Sequence, residues 1–485
     1  MKTIPAGPEV AISHSAERMP SARWALASLA LAMLLSSLGT SIANVGLPDL
    51  AQAFDAPFQA VQWVVLAYLL AITTLIVGVG RLGDIIGRRR LLLGGIALFT
   101  VGSALCGAAP TLGLLIAARA VQGVGAAIMM ALTIAFVGET VPKEKTGSAM
   151  GLLGTTSAIG TALGPSLGGA LISAFGWPAI FLVTVPLGVI AFLLASRTLP
   201  AERRNPEADR PGIDILGMLL LAFTLAAYAL AMTVGRGSFG ALNFALLLAT
   251  AIGAGLFLFV EVRSRSPLVH LTALRDPVLS AGLATNALVS TVLMATLVVG
   301  PFYLARGLSL EVAVVGLVMS VGPLVAALAG VPAGRLVDRL GARSTTTIGL
   351  AAMMAGASIL AVMPLWSGIT GYIAPLAVTT AGYALFQAAN NTAVMRDVEP
   401  DQRGVISGML GLSRNLGLLT GASAMGAVFS LGSAARNITE ASPEAVATGM
   451  HVTFTVAAVL VVTALAIAWR GQAIATRSPH PERVS

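Results

Sequence analysis

Two arginines, Arg119 and Arg414, stand inside long apolar runs of this 485-residue chain, with no acidic residue beside either. A cation placed in hydrocarbon costs at least ~2.5–3.5 kcal/mol on insertion scales, so each should face an interior surface and find a partner there. Gln122 follows Arg119 by three residues and shares its helical face. A guanidinium stays protonated throughout the physiological range, so these groups can hold helices or anions but cannot relay protons. None of the 21 Asp and Glu residues falls in the middle of an apolar run. Asp49 and Glu139, at the ends of such runs, are the candidate proton carriers. Cys106 is the single cysteine and no two of the four histidines are close, so no metal site and no disulfide framework are expected. No Gly-rich loop ends in Lys-Ser/Thr, which argues against a nucleotide-driven machine. No catalytic residue, metal or cofactor is therefore assigned, and an enzyme is not expected.

A second set of residues is repeated. Gly80, Arg81, Leu82, Asp84, Gly87, Arg88 and Arg89 share a frame with Gly334, Arg335, Leu336, Asp338, Gly341 and Arg343, 254 residues later. The spacing suggests short turns in which Asp84 and Asp338 lie beside helix N-termini, whose partial positive charge favours a carboxylate. The functional reading is a latch that holds one conformation; the plainer one is a basic anchor for lipid headgroups. A third set is Gly160, Gly164, Pro165, Gly168 and Gly169, a stripe without side chains that permits close helix approach and, at Pro165, a bend. It reads as a hinge or proton seal between this helix and a partner in the other half, or as ordinary small-residue packing. Amides and phenols in apolar runs need partners as well. Asn44, Tyr68, Gln122, Asn286, Tyr303, Gln387 and Asn390 are candidates to line a cavity or to glue helices together.

The elements that must position these groups follow from composition. The chain is 56% hydrophobic and 10% charged, with mean hydropathy +0.88, against about 25% charged residues in a soluble domain. Apolar runs at 24–46, 61–80, 91–109, 112–137, 147–175, 179–195, 213–234, 241–260, 279–305, 312–333, 345–365, 371–394, 404–431 and 450–469 predict fourteen membrane helices. Of the 29 Lys and Arg, Arg236, Arg306 and Arg436 alone fall in one set of loops, and Arg119 and Arg414 within runs. Basic residues collect on the cytoplasmic side, which puts both termini there and explains the net charge of +8 without nucleic acid. The run from Trp24 is too long for a signal-peptide core and is expected to remain as the first helix. The predicted plan is a tail (1–23), a six-helix bundle (24–196), a basic loop with two inserted helices (197–265), a second six-helix bundle (266–470) and a second tail (471–485).

With Arg119 and Gln122, residues Leu114, Gly123 and Gly125 form an Arg followed by Gln-Gly-x-Gly; Gly160 to Gly169 reads G-x-x-x-G-P-x-x-G-G. Asn44, Val45, Leu47 and Pro48 end the first helix, and Gln62, Trp63 and Tyr68 open the second. In this order, with the charged frame at 80–90, the chain resembles the major facilitator superfamily, and within it the fourteen-helix drug:proton antiporters of the EmrB/QacA type. The resemblance implies an all-α membrane protein of two pseudo-symmetric six-helix bundles plus two central helices. It implies a monomeric secondary transporter in a bacterial inner membrane, surrounded by lipid. Such a protein exports small amphipathic molecules, antibiotics among them, in exchange for protons. A dedicated exporter of one metabolite, such as a siderophore or organic acid, is the competing reading; a channel, a scramblase or a receptor with a transporter fold lies further off. One departure stands out: Gly39 replaces the family's first-helix aspartate. With positive charge alone inside, a cationic substrate would meet uncompensated repulsion of several kcal/mol at an effective dielectric of ~20. Anionic, zwitterionic or neutral substrates are expected instead.

Overall fold

The computed structural model describes residues 22–140, 146–200, 214–234, 240–264, 273–396, 403–434, 438 and 441–477. Most of both tails and of the basic loop lie outside the described residues, as do the side chains of Asp84 and Glu139. The helices in chain order are α1 (Ala22–Val45), α2 (Leu47–Ala53), α3 (Phe58–Val61), α4 (Trp63–Ile86), α5 (Arg88–Gly107) and α6 (Leu112–Thr140). Then come α7 (Thr146–Phe175), α8 (Ala179–Leu182), α9 (Thr184–Thr198), α10 (Ile215–Thr233), α11 (Ala241–Arg263) and α12 (Pro277–Phe302). The last are α13 (Val312–Val362), α14 (Gly368–Met395), α15 (Arg403–Thr420), α16 (Gly426–Ser433) and α17 (Pro443–Arg477). No strand occurs among the described residues. In a solvent without water every backbone polar group must be paired within its own segment, and the helix does this.

Thirteen helical segments among the described residues are long and apolar enough to cross a membrane. One of them, α13, has 51 residues. At 1.5 Å per residue it would be about 77 Å long, more than twice a hydrocarbon core of about 30 Å. It is broken at Gly341, whose φ of 78° and ψ of 161° are not helical. Gly87, between α4 and α5, has φ 108°. The last glycine of each charged frame thus makes the turn, in a backbone region that a Cβ would strain. Around Gly341 nothing lies within 4 Å of where a Cβ would stand, so torsion rather than space demands glycine there. This corrects the expected placement of the acids. Asp84 and Asp338 lie in the last helical turn before the break rather than in the turn itself.

α1 packs on α6, α7 and α9, and α6 on α4 and α5, forming a first bundle. α12 packs on α15 and α17, and α13 on α14 and α17, forming a second. α10 and α11 pair with each other, and α10 also lies along α4. Two starts are capped by an aspartate: Asp214 accepts from the Gly217 N–H at 2.7 Å and Asp276 from the Val278 N–H at 2.8 Å, whereas Glu311 at the start of α13 makes no such bond.

The two ends of the molecule differ. At the end opposite the charged turns, one cluster of buried side chains runs through both bundles; it holds Ile42 and Phe58 of the first bundle and Phe302 and Phe429 of the second. Toward the charged end the buried residues separate into Leu29, Ile96 and Phe136 in the first bundle and Leu279, Ile406 and Met409 in the second. The bundles share one core at the far end and keep separate cores at the charged end.

Candidate functional site

Arg119 is fully buried on α6. Its Nε donates to the Val64 carbonyl of α4 at 2.8 Å, Nη2 to the Gly39 carbonyl of α1 at 3.1 Å, and Nη1 to Gln122 Oε1. The guanidinium carbon lies 4.1 Å from the centre of the Tyr68 ring and 5.8 Å from that of Phe181. Gln122 Nε2 in turn donates to Ser103 Oγ at 2.7 Å, and Tyr68 Oη donates to the Ser36 carbonyl at 2.8 Å. Carbonyl dipoles and π faces take the role of a counter-anion for this cation. A Cβ on Gly39 would stand 2.8 Å from Tyr68 Oη, so a larger residue there would have to displace the Tyr68 ring. Tyr68 and Gln122, expected as cavity-lining candidates, are enclosed in this knot and join α1, α4, α5 and α6. Asn44 is buried too, and its amide donates within its own helix, to Thr40 at 3.0 Å and Ser41 at 3.2 Å.

The second bundle is arranged differently. Asn286 of α12 donates to the Leu410 carbonyl of α15 at 3.0 Å. Its Oδ1, the neighbouring Ser290 Oγ, Gln387 Oε1, Asn390 Nδ2, Tyr303 Oη and Arg414 Nε are all buried without a hydrogen-bond partner. Leu410, Arg414 and Gly417 form an i, i+4, i+7 stripe on α15. A Cβ on Gly417 would meet the Ser290 side chain, so Asn286 and Ser290 flank the level of Arg414. Asn286 is nine residues into α12 and Arg414 eleven into α15, depths of about 14 and 17 Å, near the middle of a ~30 Å hydrocarbon core. Around Gly408 and Gly411, on the same helix as Arg414, there is open space. Tyr303 stacks on Tyr372 with ring centres 5.9 Å apart. Sequence reasoning missed Ser290 and Ser103; serines are so frequent in membrane helices that their spacing carries no signal.

The glycine stripe serves two surfaces. Cβ atoms on Gly160, Gly164 and Gly168 would run into Leu34, Ser41 and Val45 of α1, within the first bundle. Gly169 alone meets the other bundle, its Cβ position 2.9 Å from Gly316 Cα of α13, and the Pro165 carbonyl faces Gly316 too. Within the motif, the expected contact with a partner in the other half is made at the Pro165–Gly169 end, and α7 as a whole packs along α13. Other links between the bundles gather nearby. Gln59 donates to Ser430 Oγ at 2.6 Å and Gln62 to the Ala422 carbonyl at 2.8 Å, within a π turn at Gly421–Met425. Phe58 meets Phe302 and Phe429 edge-on at 4.7 and 5.6 Å. None of these aromatic contacts was legible in advance, since Phe in an apolar run has no distinguishing neighbour.

Of the charged frames, Arg89 donates to the Ser196 carbonyl near the end of α9, tying α5 within its own bundle. Asp338 is exposed. Asp49 lies on α2 at the far end, where it lines a cavity with Arg306 of the second bundle. Burial pushes its carboxyl above the ordinary range, against the pull of its own backbone N–H and of Arg306. No group of three or more His, Cys, Asp and Glu able to hold a metal occurs among the described residues.

A model of the Major Facilitator Superfamily matches residues 29–422 and 299–484. The chain is 30% identical to the riboflavin transporter RibZ of Clostridioides difficile (strain 630) over 84% of its own length and 88% of that protein. It is 31% identical to the multidrug resistance protein Stp of Mycobacterium tuberculosis (strain ATCC 25618 / H37Rv), over 83% and 75% of the two chains. Its fold superposes with TM-score 0.68, at 16% identity, on a bacterial homolog of the human lysosomal transporter Spinster solved in an inward-facing, unoccupied conformation, covering 95% and 99% of the two chains. The motif order, the helical architecture and these matches lead to one conclusion: the chain belongs to the Major Facilitator Superfamily and is a multi-pass membrane transporter.

Proposed function

We propose that this transporter exports amphipathic small molecules from a bacterial cytoplasm across the inner membrane, by alternating access and in exchange for protons, as a monomer among lipids. In this reading it is a fourteen-helix protein of the EmrB/QacA type. The break at Gly341 supplies the extra crossing, the bundles are related by pseudo-symmetry, and the boundaries follow 24–196 and 266–470. The charged end, with both termini, faces the cytoplasm. The observation that carries the reading is the asymmetry of the core: shared by both bundles at the far end, separate at the charged end. Such an arrangement suits a rocking pair caught with its outer mouth shut. Drug efflux is favoured by relatives such as Stp, whereas RibZ supports a dedicated metabolite carrier as the second reading.

For the substrate, the orphaned amides and Arg414 in the second bundle favour molecules bearing an anionic or hydrogen-bonding group. Arg119 repels dications only at a distance, because it is sealed away. The test is uptake into everted vesicles of cationic, zwitterionic and anionic compounds, with and without an imposed proton gradient. Saturable uptake that collapses with the gradient supports the reading. Non-saturable flux indifferent to the gradient would replace it with a channel.

A further inference from the structure

We propose that Asp49 is a proton-binding site governing the outer mouth: with a proton from the outside water the mouth closes over it, and without one the mouth tends to reopen. The proposal rests on the transport reading for its meaning, though not for its measurement. A cavity of about 200 Å³ lies at the far end between the two bundles. Val45, Asp49 and Gln52 line it from the first bundle and Arg306, Val312 and Val315 from the second. Asp49 and Arg306 are its charged residues. Arg306 arrives on a π turn, Tyr303–Gly307, the kind of local widening that recurs at functional sites. α1, α3 and α12, packed against α2, bring no charged side chain to this end. Asp55 and Glu311, the nearest other acids in sequence, are exposed.

The volume is enough for several waters, at about 30 Å³ each in the liquid, so a proton has a medium through which to arrive. Phe58, Phe302 and Phe429, in mutual ring contact across the bundles, are fully buried, and Phe302 stands four residues before Arg306. The proposal assigns Asp49 to the outer mouth alone.

The direction follows from linkage. In the open mouth Asp49 meets water and titrates in the ordinary carboxylate range. In the closed mouth burial raises its pKa, while its backbone N–H and Arg306 offset part of the rise. A group that binds its proton more tightly in one state favours that state as pH falls. The contribution to closure is complete below the open-state value and fades as pH rises through the closed-state value. Each unit between the two values is worth tenfold in the open–closed ratio.

The experiment uses the full chain in lipid nanodiscs, with spin labels on Ala53→Cys and Ser309→Cys, both exposed at this end. Their separation is read from about pH 4 to pH 8. In the parent the open fraction should grow as pH rises through the closed-state value. Asp49→Asn, a neutral near-isostere, should stay closed at every pH. Asp49→Glu should retain a response, which separates titration from packing. Arg306→Gln should move the midpoint to higher pH, because the group that pulls the value down is gone. A pH response that survives in Asp49→Asn, or opening on acidification in the parent, overturns the proposal. Neither readout requires efflux. A failed transport assay with an intact pH response would count against the function and leave Asp49 standing.

Discussion

Arg119 and Arg414 are both cations within the membrane-spanning part of one chain, yet their surroundings are opposite. Three acceptors and two aromatic rings enclose Arg119. Arg414 has a buried Nε with no acceptor, and unpartnered oxygens of Asn286 and Ser290 at neighbouring levels. A satisfied buried network rigidifies; an unsatisfied one is expensive until something satisfies it. The difference lies in the two arginines and what surrounds them. The first bundle closes a satisfied knot around Arg119, although Asn44 Oδ1, Arg89 Nε and Thr133 Oγ1 stay unpaired elsewhere in it, whereas in the second bundle the unpaired atoms gather at the level of Arg414 itself.

The largest effect that could break this contrast is on folding. Arg119→Ala removes charge-assisted bonds of about 1.5–3 kcal/mol each and strands the carbonyls of Gly39 and Val64. The protein should fail to accumulate as a monodisperse species, whereas Arg414→Ala should purify normally. Equal losses of thermal midpoint in the two variants would erase the distinction. The next effect is on turnover. Gly164→Val forces a branched side chain into Ser41 and should block transport, while Gly411→Ala, in open space, should be tolerated. Transport by Gly164→Val at the parental rate would show that the α1–α7 contact is not needed. Asp84→Asn should insert at parental levels yet lose most efflux, and Asp338→Asn should do the same to a lesser degree; normal efflux in both would remove the latch. The smallest effect concerns preference. Arg414→Ala should weaken anionic substrates by about tenfold or more, the worth of one charge-assisted bond. It should leave a divalent cationic dye no worse off, and a uniform loss across substrates would make Arg414 structural.

Much of this was legible in the chain. The charged frames announced their breaks because torsion at Gly87 and Gly341 leaves a residue-type signature. The depth of Arg119 in an apolar run announced that it needed partners. Gln122 was legible three residues on, but the other two acceptors were not, since they are backbone carbonyls at Gly39 and Val64 and a carbonyl has no letter of its own. The stripe at Gly160–Gly169 revealed close packing but not against what, because glycine records an approach without naming the neighbour. The acids of the charged frames were misplaced by a turn. Charge alone does not say where a helix ends, and the break falls at the glycine.

The position of α10 bears on how molecules reach the interior. It lies along α4, where Trp63 donates to Thr233 at 3.1 Å and Met218 fills the space beside Gly78, and it also touches the π turn between α15 and α16. Two bundles side by side have two seams facing the bilayer, one at α4–α15 and one at α7–α13. α10 covers the first like the spine of a book, leaving the second as the fore-edge. There α7 packs along α13, with Gly169 against Gly316, and Leu152, Ile159 and Leu163 of α7 are exposed. α10 therefore stands as a wall against sideways entry from the bilayer at the first seam, and any movement that parts α4 from α15 has to slide along it.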